Sequence, residues 1–254
     1  MEFRVISYNI HRCIGVDRRF KPERIAEILA HHNADLVFLQ EVDVGVPRSR
    51  KLDLAEDLAA RLGYPYVALG LNVQLRTGMY GNATLSRFPI LRERNIDLTI
   101  DDRKARGCLY AEIETPGNGA GPVKLATFNM HLGLSFRERP SQVGVLVHSP
   151  EFQALERQSP CLVVGDFNDW WTRLAPMFTE VLDFGCATNH GINYYDAIAT
   201  YPSFSPANGL DKIFYRGPIS AIHGRTCRMG ISKVASDHLP VIADLRLHGK
   251  KSQI

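Results

Sequence analysis

The sequence has little that would serve a disulfide framework, a membrane span or a polyelectrolyte partner. Its five cysteines, Cys13, Cys108, Cys161, Cys186 and Cys227, are odd in number, widely spaced and free of any Cys-x-x-Cys pair. That argues against a disulfide scaffold and a zinc–thiolate site, and for a reducing compartment. No apolar run approaches the ~20 residues that a membrane-spanning helix needs. The opening Met1-Glu2-Phe3-Arg4-Val5 enters a strand pattern at once, without the basic-then-apolar order of a signal peptide. A cytoplasmic location is therefore expected. Charge of one sign is also scarce: 30 Lys and Arg face 27 Asp and Glu, for a net +3. Such a chain does not repel an anionic substrate, yet it lacks the charge of a dedicated nucleic-acid binder.

Several signature loops are missing as well. There is no Gly-x-x-x-x-Gly-Lys phosphate loop, no Gly-x-Gly-x-x-Gly dinucleotide fingerprint and no Gly-x-Ser-x-Gly elbow. These absences argue against a nucleotide-driven motor, a dehydrogenase and a serine hydrolase.

What is present is 254 residues, 45% hydrophobic and 22% charged, the profile of a globular protein able to bury a substantial core. No repeat, low-complexity segment or linker divides the chain, so one domain over 1–247 is expected, followed by a short basic tail, 248–254. Hydrophobic spacing predicts strands at Phe3–Asn9, Asp35–Leu39, Tyr66–Leu69, Asn82–Ser86, Leu162–Val164 and Val241–Leu247. A hairpin is predicted to join Leu109–Ile113 to Val123–Phe128 across the glycine- and proline-rich turn 115–122. Helices are predicted at Lys21–His32, with Pro22 in its first turn, and at Leu52–Leu62, closed by Gly63. Further helix is expected over Phe136–Gln158, broken near Pro150, and near Trp171–Leu182. Gln74–Gly81 reads as a mobile loop and Ala187–Pro206 as a polar one.

The chain is organised around Cys161-Leu162-Val163-Val164-Gly165-Asp166-Phe167-Asn168-Asp169, an apolar strand that stops at a glycine and is followed by carboxylate and carboxamide groups. The pattern then recurs. Strand-like runs are bordered by Asn9 with His11, by Gln40-Glu41, by Asn129 with His131, by Asp211 and by Asp237-His238. In layered α/β architectures, sites form where loops from several strand ends meet at one edge of a sheet. Asn9, Glu41, Asp166, Asn168 and Asp237 offer the hard oxygens that suit Mg²⁺, Mn²⁺ or Ca²⁺. His11, His131 and His238 keep zinc or a mixed two-metal site open as a rival, although no His-x-His or His-Glu-x-x-His spacing occurs. Metal-assisted hydrolysis of a phosphate ester is the chemistry these groups favour.

Seven motifs stand in a fixed order: Ser7-Tyr8-Asn9-Ile10-His11, Leu39-Gln40-Glu41-Val42, Gly81-Asn82-Ala83-Thr84-Leu85-Ser86-Arg87, Asn129-Met130-His131-Leu132, Gly165-Asp166-Phe167-Asn168, Gly209-Leu210-Asp211-Lys212-Ile213 and Ser236-Asp237-His238-Leu239-Pro240. From about Ser7 to Leu247 the chain resembles the endonuclease/exonuclease/phosphatase superfamily. That superfamily includes deoxyribonuclease-type nucleases, abasic-site endonucleases, inositol polyphosphate phosphatases and sphingomyelinases. The resemblance implies a four-layered α/β/β/α sandwich, with two mixed sheets packed face to face and helices outside. It implies Glu41 as principal Mg²⁺ ligand, Asn9 beside it and Asp237 on the metal side, with Mn²⁺ a possible substitute. Asp166 would orient or deprotonate the attacking water, and Asn168 and His131 would hold phosphate oxygens. Asp211 would pair with His238, fixing its tautomer and favouring its charged form.

One departure bears on the substrate. His11 stands where abasic-site endonucleases carry an Asp, and no basic arm is evident, so a DNA-repair role is not favoured. The Asn82 motif, the Arg106-Gly107 turn and Gly-Asp-Phe-Asn-Asp-Trp look instead like a bacterial branch of uncharacterised or phospholipid-associated hydrolases. His11, Asn82 and Arg106 are taken as substrate-binding candidates, each with an ordinary alternative: a turn cap, a strand-end residue and a solvated arginine. Trp170-Trp171 reads as a helix anchor to the core. The expected function is Mg²⁺-dependent hydrolysis of a phosphodiester in a nucleic acid, nucleotide or phospholipid headgroup, with no obligate protein partner. A nuclease proper, a phosphomonoesterase and an inactive scaffold that binds a partner are the alternatives. Specificity would lie in the loops 44–51, 71–81 and 187–206.

Overall fold

The computed structural model describes residues 1–117, 121–189 and 196–249. Two six-stranded mixed sheets face each other. The first has the order β11 (Ile219–Thr226), β12 (Val241–Leu247), β1 (Glu2–Asn9), β2 (Leu36–Val44), β4 (Met79–Ser86), β3 (Tyr66–Gln74). The second runs β5 (Ile90–Asp97), β6 (Gly107–Thr115), β7 (Val123–His131), β8 (Cys161–Asp166), β10 (Asp211–Arg216), β9 (Gly185–Cys186). Each sheet has one parallel pair at its centre, β1 with β2 and β7 with β8, and antiparallel neighbours on both sides.

Period-two alternation explains why the sheets stack. On β1, Phe3 and Val5 join Leu36 and Phe38 of β2, Leu109 and Ala111 of β6, and Leu162 and Val164 of β8 in a dry layer between the sheets. The opposite faces of the same strands bury helices. Ile6, Tyr8, Val37 and Leu39 pack on Ile25, Ile28 and Leu29 of α1 (Pro22–His32) and on Ala55, Leu58 and Ala59 of α2 (Leu54–Leu62). Phe128, Met130 and Val163 pack on Val143 and Leu146 of α3 (Glu138–His148) and on Phe152 of α4 (Pro150–Gln153). The result is the four-layered α/β/β/α sandwich. Both main helices of the first layer end in left-handed residues, Asn33 (φ 51°) and Gly63 (φ 71°), and Asp53 caps the start of α2 through the amides of Ala55 and Glu56.

Two expectations are corrected. Gln74–Gly81 is no loose loop, since β3 and β4 form a hairpin through Gln74 and Met79. The helix expected over Trp171–Leu182 is reduced to one irregular turn, Met177–Val181, because Thr172 takes a left-handed φ of 55° and Pro176 cannot donate an amide hydrogen. Part of the 115–122 turn, the middle of the 187–206 loop and residues 250–254 of the tail lie outside the described residues.

Candidate active site

The inter-sheet face of each central strand changes from apolar to polar at the same end of the sandwich. Along β1 it reads Phe3, Val5, Ser7, Asn9; along β2, Leu36, Phe38, Gln40; along β7, Leu125, Thr127, Asn129, His131; along β8, Leu162, Val164, Asp166. Strand β10 runs the other way and so begins with Asp211. Register does the rest. Asp166 lies opposite His131 on one side and Asp211 on the other, and Asn9 lies opposite Gln40.

Beneath this rim a polar clamp ties the two sheets together. Gln40 Nε2 donates to Asn129 Oδ1 at 2.8 Å, and Asn129 Nδ2 donates to the carbonyls of Leu39 (3.1 Å) and Ala83 (2.8 Å). Asn82 Nδ2 bridges to the carbonyls of Gly107 (3.1 Å) and Asn129 (3.0 Å). Both amide hydrogens of Asn82 are therefore committed to backbone, which makes it a strut in the cleft wall and leaves its Oδ1 as the atom a substrate could meet.

Asp166 is the hub. It is 1% exposed, and its Oδ2 receives Asn9 Nδ2 at 3.0 Å and lies 3.5 Å from His131 Nε2 and 3.6 Å from His238 Nε2. Its Oδ1 accepts the amide of Asn168 at 2.9 Å, and Asn168 in turn donates to the Leu132 carbonyl. Gly165, at φ 139°, makes this approach possible, since a Cβ there would lie 1.9 Å from the Met130 carbonyl oxygen. Burial raises the Asp166 carboxyl to about 6; the His238 charge pulls it down and Asp211 pushes it up.

His238 is oriented from behind. Its Nδ1 meets Asp211 Oδ2 at 2.9 Å, and the same oxygen accepts Thr200 Oγ1 at 2.6 Å. Burial alone would lower the imidazole, but the Asp211 and Asp166 carboxylates outweigh it and raise His238 to about 10. His238 is thus a cation at neutral pH and presents Nε2–H toward Asp166. The Tyr201 ring covers it with centroids 5.0 Å apart, and Trp170 packs edge-on against Tyr201. His131 behaves oppositely: burial, then the charges of Arg106, His238, Lys104 and Arg12, hold it well below the usual histidine range, and it is neutral.

Glu41 sits where β2 bulges, in the register break between Leu39 and Val42 against β4, with a left-handed φ of 58°. An uncommon backbone conformation for a non-glycine residue marks a side chain re-aimed by the bulge. Its Oε2 is buried without a hydrogen-bond partner, with Arg12 Nε at 3.4 Å. Among the described residues Asn9 Oδ1 accepts only the His11 amide, and Asp237 Oδ1 lies 3.3 Å from Ser236 Oγ. These under-used hard oxygens fit a divalent cation. Asp166, Asp211 and His238 also bring ligand atoms within 4.8 Å of one another. Their other contacts are largely with one another, although Asp211 Oδ1 accepts no hydrogen bond among the described residues. His11 Nδ1 lies 2.9 Å from the Ile14 carbonyl, which makes it the protonated nitrogen, and 3.9 Å from Asp237 Oδ1.

Arg106 is 5% exposed, and no hydrogen bond or ion pair among the described residues involves its guanidinium; it lines a small cleft with Asn82 and His131. The larger surface hollows, of about 600 and 480 Å³, lie elsewhere and gather none of these groups. Arg12, Thr200, Tyr201 and Ser236 escaped the sequence reading. Ser236 had the one available signal, its place beside Asp237-His238, and it donates to the Asn9 carbonyl at 2.7 Å. Trp171 is 63% exposed, so of the tryptophan pair only Trp170 packs inward.

This sandwich and rim coincide with a known architecture. The model of the Endonuclease/Exonuclease/phosphatase family matches residues 6–238. The chain belongs to that family. Family members are in general phosphoesterase hydrolases that depend on a divalent metal. The uncharacterized protein YbhP of Escherichia coli K12 is 30% identical over 255 residues, covering 96% of each chain. An endonuclease/exonuclease/phosphatase from Beutenbergia cavernae superposes with a TM-score of 0.78 at 20% identity, over 98% of this chain and 72% of its own. TDP2 of D. rerio in complex with a single-strand DNA product gives 0.70 at 18% identity, over 96% and 99%. Similarity at these identities establishes the shared fold.

Proposed function

We propose that this family member is a Mg²⁺-dependent phosphodiesterase that cleaves its substrate by in-line attack of water, with Mn²⁺ able to substitute. The observation that carries the reading is the convergence of Asn9, His131 and His238 on one buried oxygen of Asp166. Glu41, with Asn9 and Asp237, would hold the cation, which when bound supplies positive charge to the phosphate oxygens and polarises water.

The remaining steps belong to the chain. Asp166, raised to about 6, is ionised at neutral pH yet basic enough to take a proton from water, and the Asn9 amide fixes its orientation. His238, held charged by Asp211, donates Nε2–H to a phosphorus-bound oxygen as negative charge grows there. Neutral His131, 3.5 Å from Asp166 Oδ2, and Asn168, whose backbone amide donates to Asp166 Oδ1, would complete the clamp. Among the described groups no nucleophile other than water is needed, and no covalent intermediate is formed. The paired substrates below distinguish a diester from a monoester.

The test is hydrolysis of bis(p-nitrophenyl) phosphate and p-nitrophenyl phosphate with Mg²⁺, Mn²⁺ or EDTA, beside an Asp166→Asn variant. Metal-dependent diester turnover that vanishes in the variant is expected. Monoester turnover alone would make the protein a phosphatase, and turnover that survives Asp166→Asn would remove the hub from the mechanism. A panel of DNA and RNA strands then separates a nuclease from an enzyme of smaller diesters. Absence of both turnover and Mg²⁺ binding would favour a scaffold.

A further inference from the structure

Beside the cleft, Arg103, Lys104 and Arg106 wall a groove of about 360 Å³, together with Gly133, Leu134 and Glu138. We propose that this groove is a second anion subsite, which takes a phosphate carried by the substrate next to the phosphodiester that is cleaved. The inference rests on the phosphodiesterase reading for its substrate, but its own evidence is separate.

Arg106 is the central observation. The residue is 5% exposed, its Nε is buried without an acceptor among the described residues, and none of its nitrogens meets a carboxylate there. A buried cation left without an acceptor is destabilising unless something else supplies one. Arg106 also lines both the groove and the small cleft shared with Asn82 and His131. An anion on its outer side is therefore one position away from a group held at His131.

The neighbours agree in charge. Arg103 and Lys104 are exposed and take part in no ion pair among the described residues, while Lys104 Nζ rests 5.5 Å over the Tyr80 ring at the cleft mouth. By contrast, nearby Arg48 is already held by Asp43 through two bonds of 2.8 and 2.7 Å. The one carboxylate in the groove wall, Glu138, is buried, and its Oε1 accepts Gln142 Nε2 at 2.9 Å. Three cations against one engaged carboxylate match a group of two negative charges, and a guanidinium offers planar paired donors to phosphate oxygens. The positive field reaches the site itself, since Arg106 and Lys104 are among the charges that keep His131 neutral.

The test is a titration of metal-free, EDTA-treated protein with inorganic pyrophosphate, which places two phosphates in adjacent positions, and with inorganic phosphate. Wild type is expected to prefer pyrophosphate by about 10-fold or more, and the Arg103→Ala/Lys104→Ala double variant to lose most of that preference, as charge-assisted contacts of this kind predict. An Arg106→Gln variant should lose it as well, but the surface pair keeps the test valid if that variant fails to fold. The same preference in wild type and double variant, or none in wild type, overturns the subsite. A nucleoside 3′,5′-bisphosphate and a phosphorylated glycerophosphate compete in the same titration. The stronger competitor identifies which molecule carries the second phosphate, and competition by neither overturns the proposal. Failure of bis(p-nitrophenyl) phosphate hydrolysis with the preference intact would sink the enzymatic reading and leave the subsite standing.

Discussion

Replacing Glu41 by Gln separates the metal from the fold. In the metal-free protein the Glu41 Oε2 atom is buried without a hydrogen bond, 3.4 Å from Arg12 Nε, on a residue with φ 58°. Such a group is costly in the folded state and is kept where a ligand uses it. A cation present at 100 times its dissociation constant stabilises the native state by about 2.7 kcal/mol. For a chain of this length each kcal/mol moves Tm by about 2–4 °C, so Mg²⁺ should raise the wild-type Tm by roughly 5–10 °C. Losing one charged contact costs about 2 kcal/mol of affinity, a factor of about 30. At the same Mg²⁺ concentration the residual stabilisation in Glu41→Gln is then about 0.9 kcal/mol, a Tm rise of about 2–4 °C. Differential scanning calorimetry with a Mg²⁺ series and an EDTA control measures both proteins. The variant's metal-free Tm is the baseline for its own Mg²⁺ series, because the substitution also removes the Glu41 charge from Arg12 Nε. An undiminished Mg²⁺ shift in the variant would refute Glu41 as a ligand and redirect attention to the Asp166, Asp211 and His238 group.

Three further perturbations follow from the same geometry. Asp211→Asn removes the main charge that keeps His238 protonated, and diester kcat should fall by about 10²–10³, as for loss of one transition-state donor; Thr200→Val, which strips one bond from Asp211, should cost about 10-fold or less, and single-turnover kinetics compare them. His32 is held at about 4 by burial and by the neighbouring charges of His31, Arg225 and Arg4. Its unfolded value is about 6.5, so it contributes nothing above that pH, and stability is lost as pH falls toward 4, by at most about 3 kcal/mol. Urea unfolding of His32→Gln against wild type should show that difference emerging only below about pH 6.5; equal slopes would remove His32 as the cause. Asn129→Ala removes the shortest of the three bonds from Gln40 Nε2 and the side-chain donor to two inter-sheet carbonyls, and should lower stability by about 2–4 kcal/mol, read from denaturant midpoints at constant m-value.

The layers were legible because alternation is local. Phe3, Val5, Leu36, Phe38, Leu162 and Val164 sit on the inter-sheet face that period two assigns them, and Ile25, Ile28 and Leu29 on the buried face of α1. The polar ends of those strands were legible too, since Asn9, His131, Asp166 and Asp211 each follow or begin an apolar run. What stayed hidden depends on contacts between distant segments. Thr200 lies 11 residues from Asp211 in a polar loop, and nothing in its neighbours marks it as the donor behind a histidine. Arg12 reads as a solvated arginine until the bulge at Glu41 brings a carboxylate to it. Asn82 carried a motif signal, yet its amide is consumed in joining the sheets. The helix expected from Trp171 shrinks to Met177–Val181 because apolar spacing carries no signal of the left-handed turn at Thr172, and Pro176 brings no amide hydrogen.

The clamp and the catalytic hub share one physical cause. An inter-sheet layer must end somewhere, and at its end backbone and side-chain dipoles can no longer be covered by aliphatic groups. Gln40, Asn82 and Asn129 spend their donors on carbonyls and on one another, which keeps the final turn of the sandwich dry and rigid. One residue further out, Asn9, His131, Asp166, Asp211 and His238 cannot all be satisfied by each other. Asp211 Oδ1 and Glu41 Oε2 remain buried without hydrogen bonds among the described residues, and like charges on Asp166 and Asp211 are held together by His238. A polar layer whose donors are spent below, and whose oxygens are under-used above, keeps hydrogen-bonding capacity at the surface that substrate reaches. Rigid support from the clamp keeps those groups from collapsing onto one another, which is the condition for preorganised electrostatic catalysis.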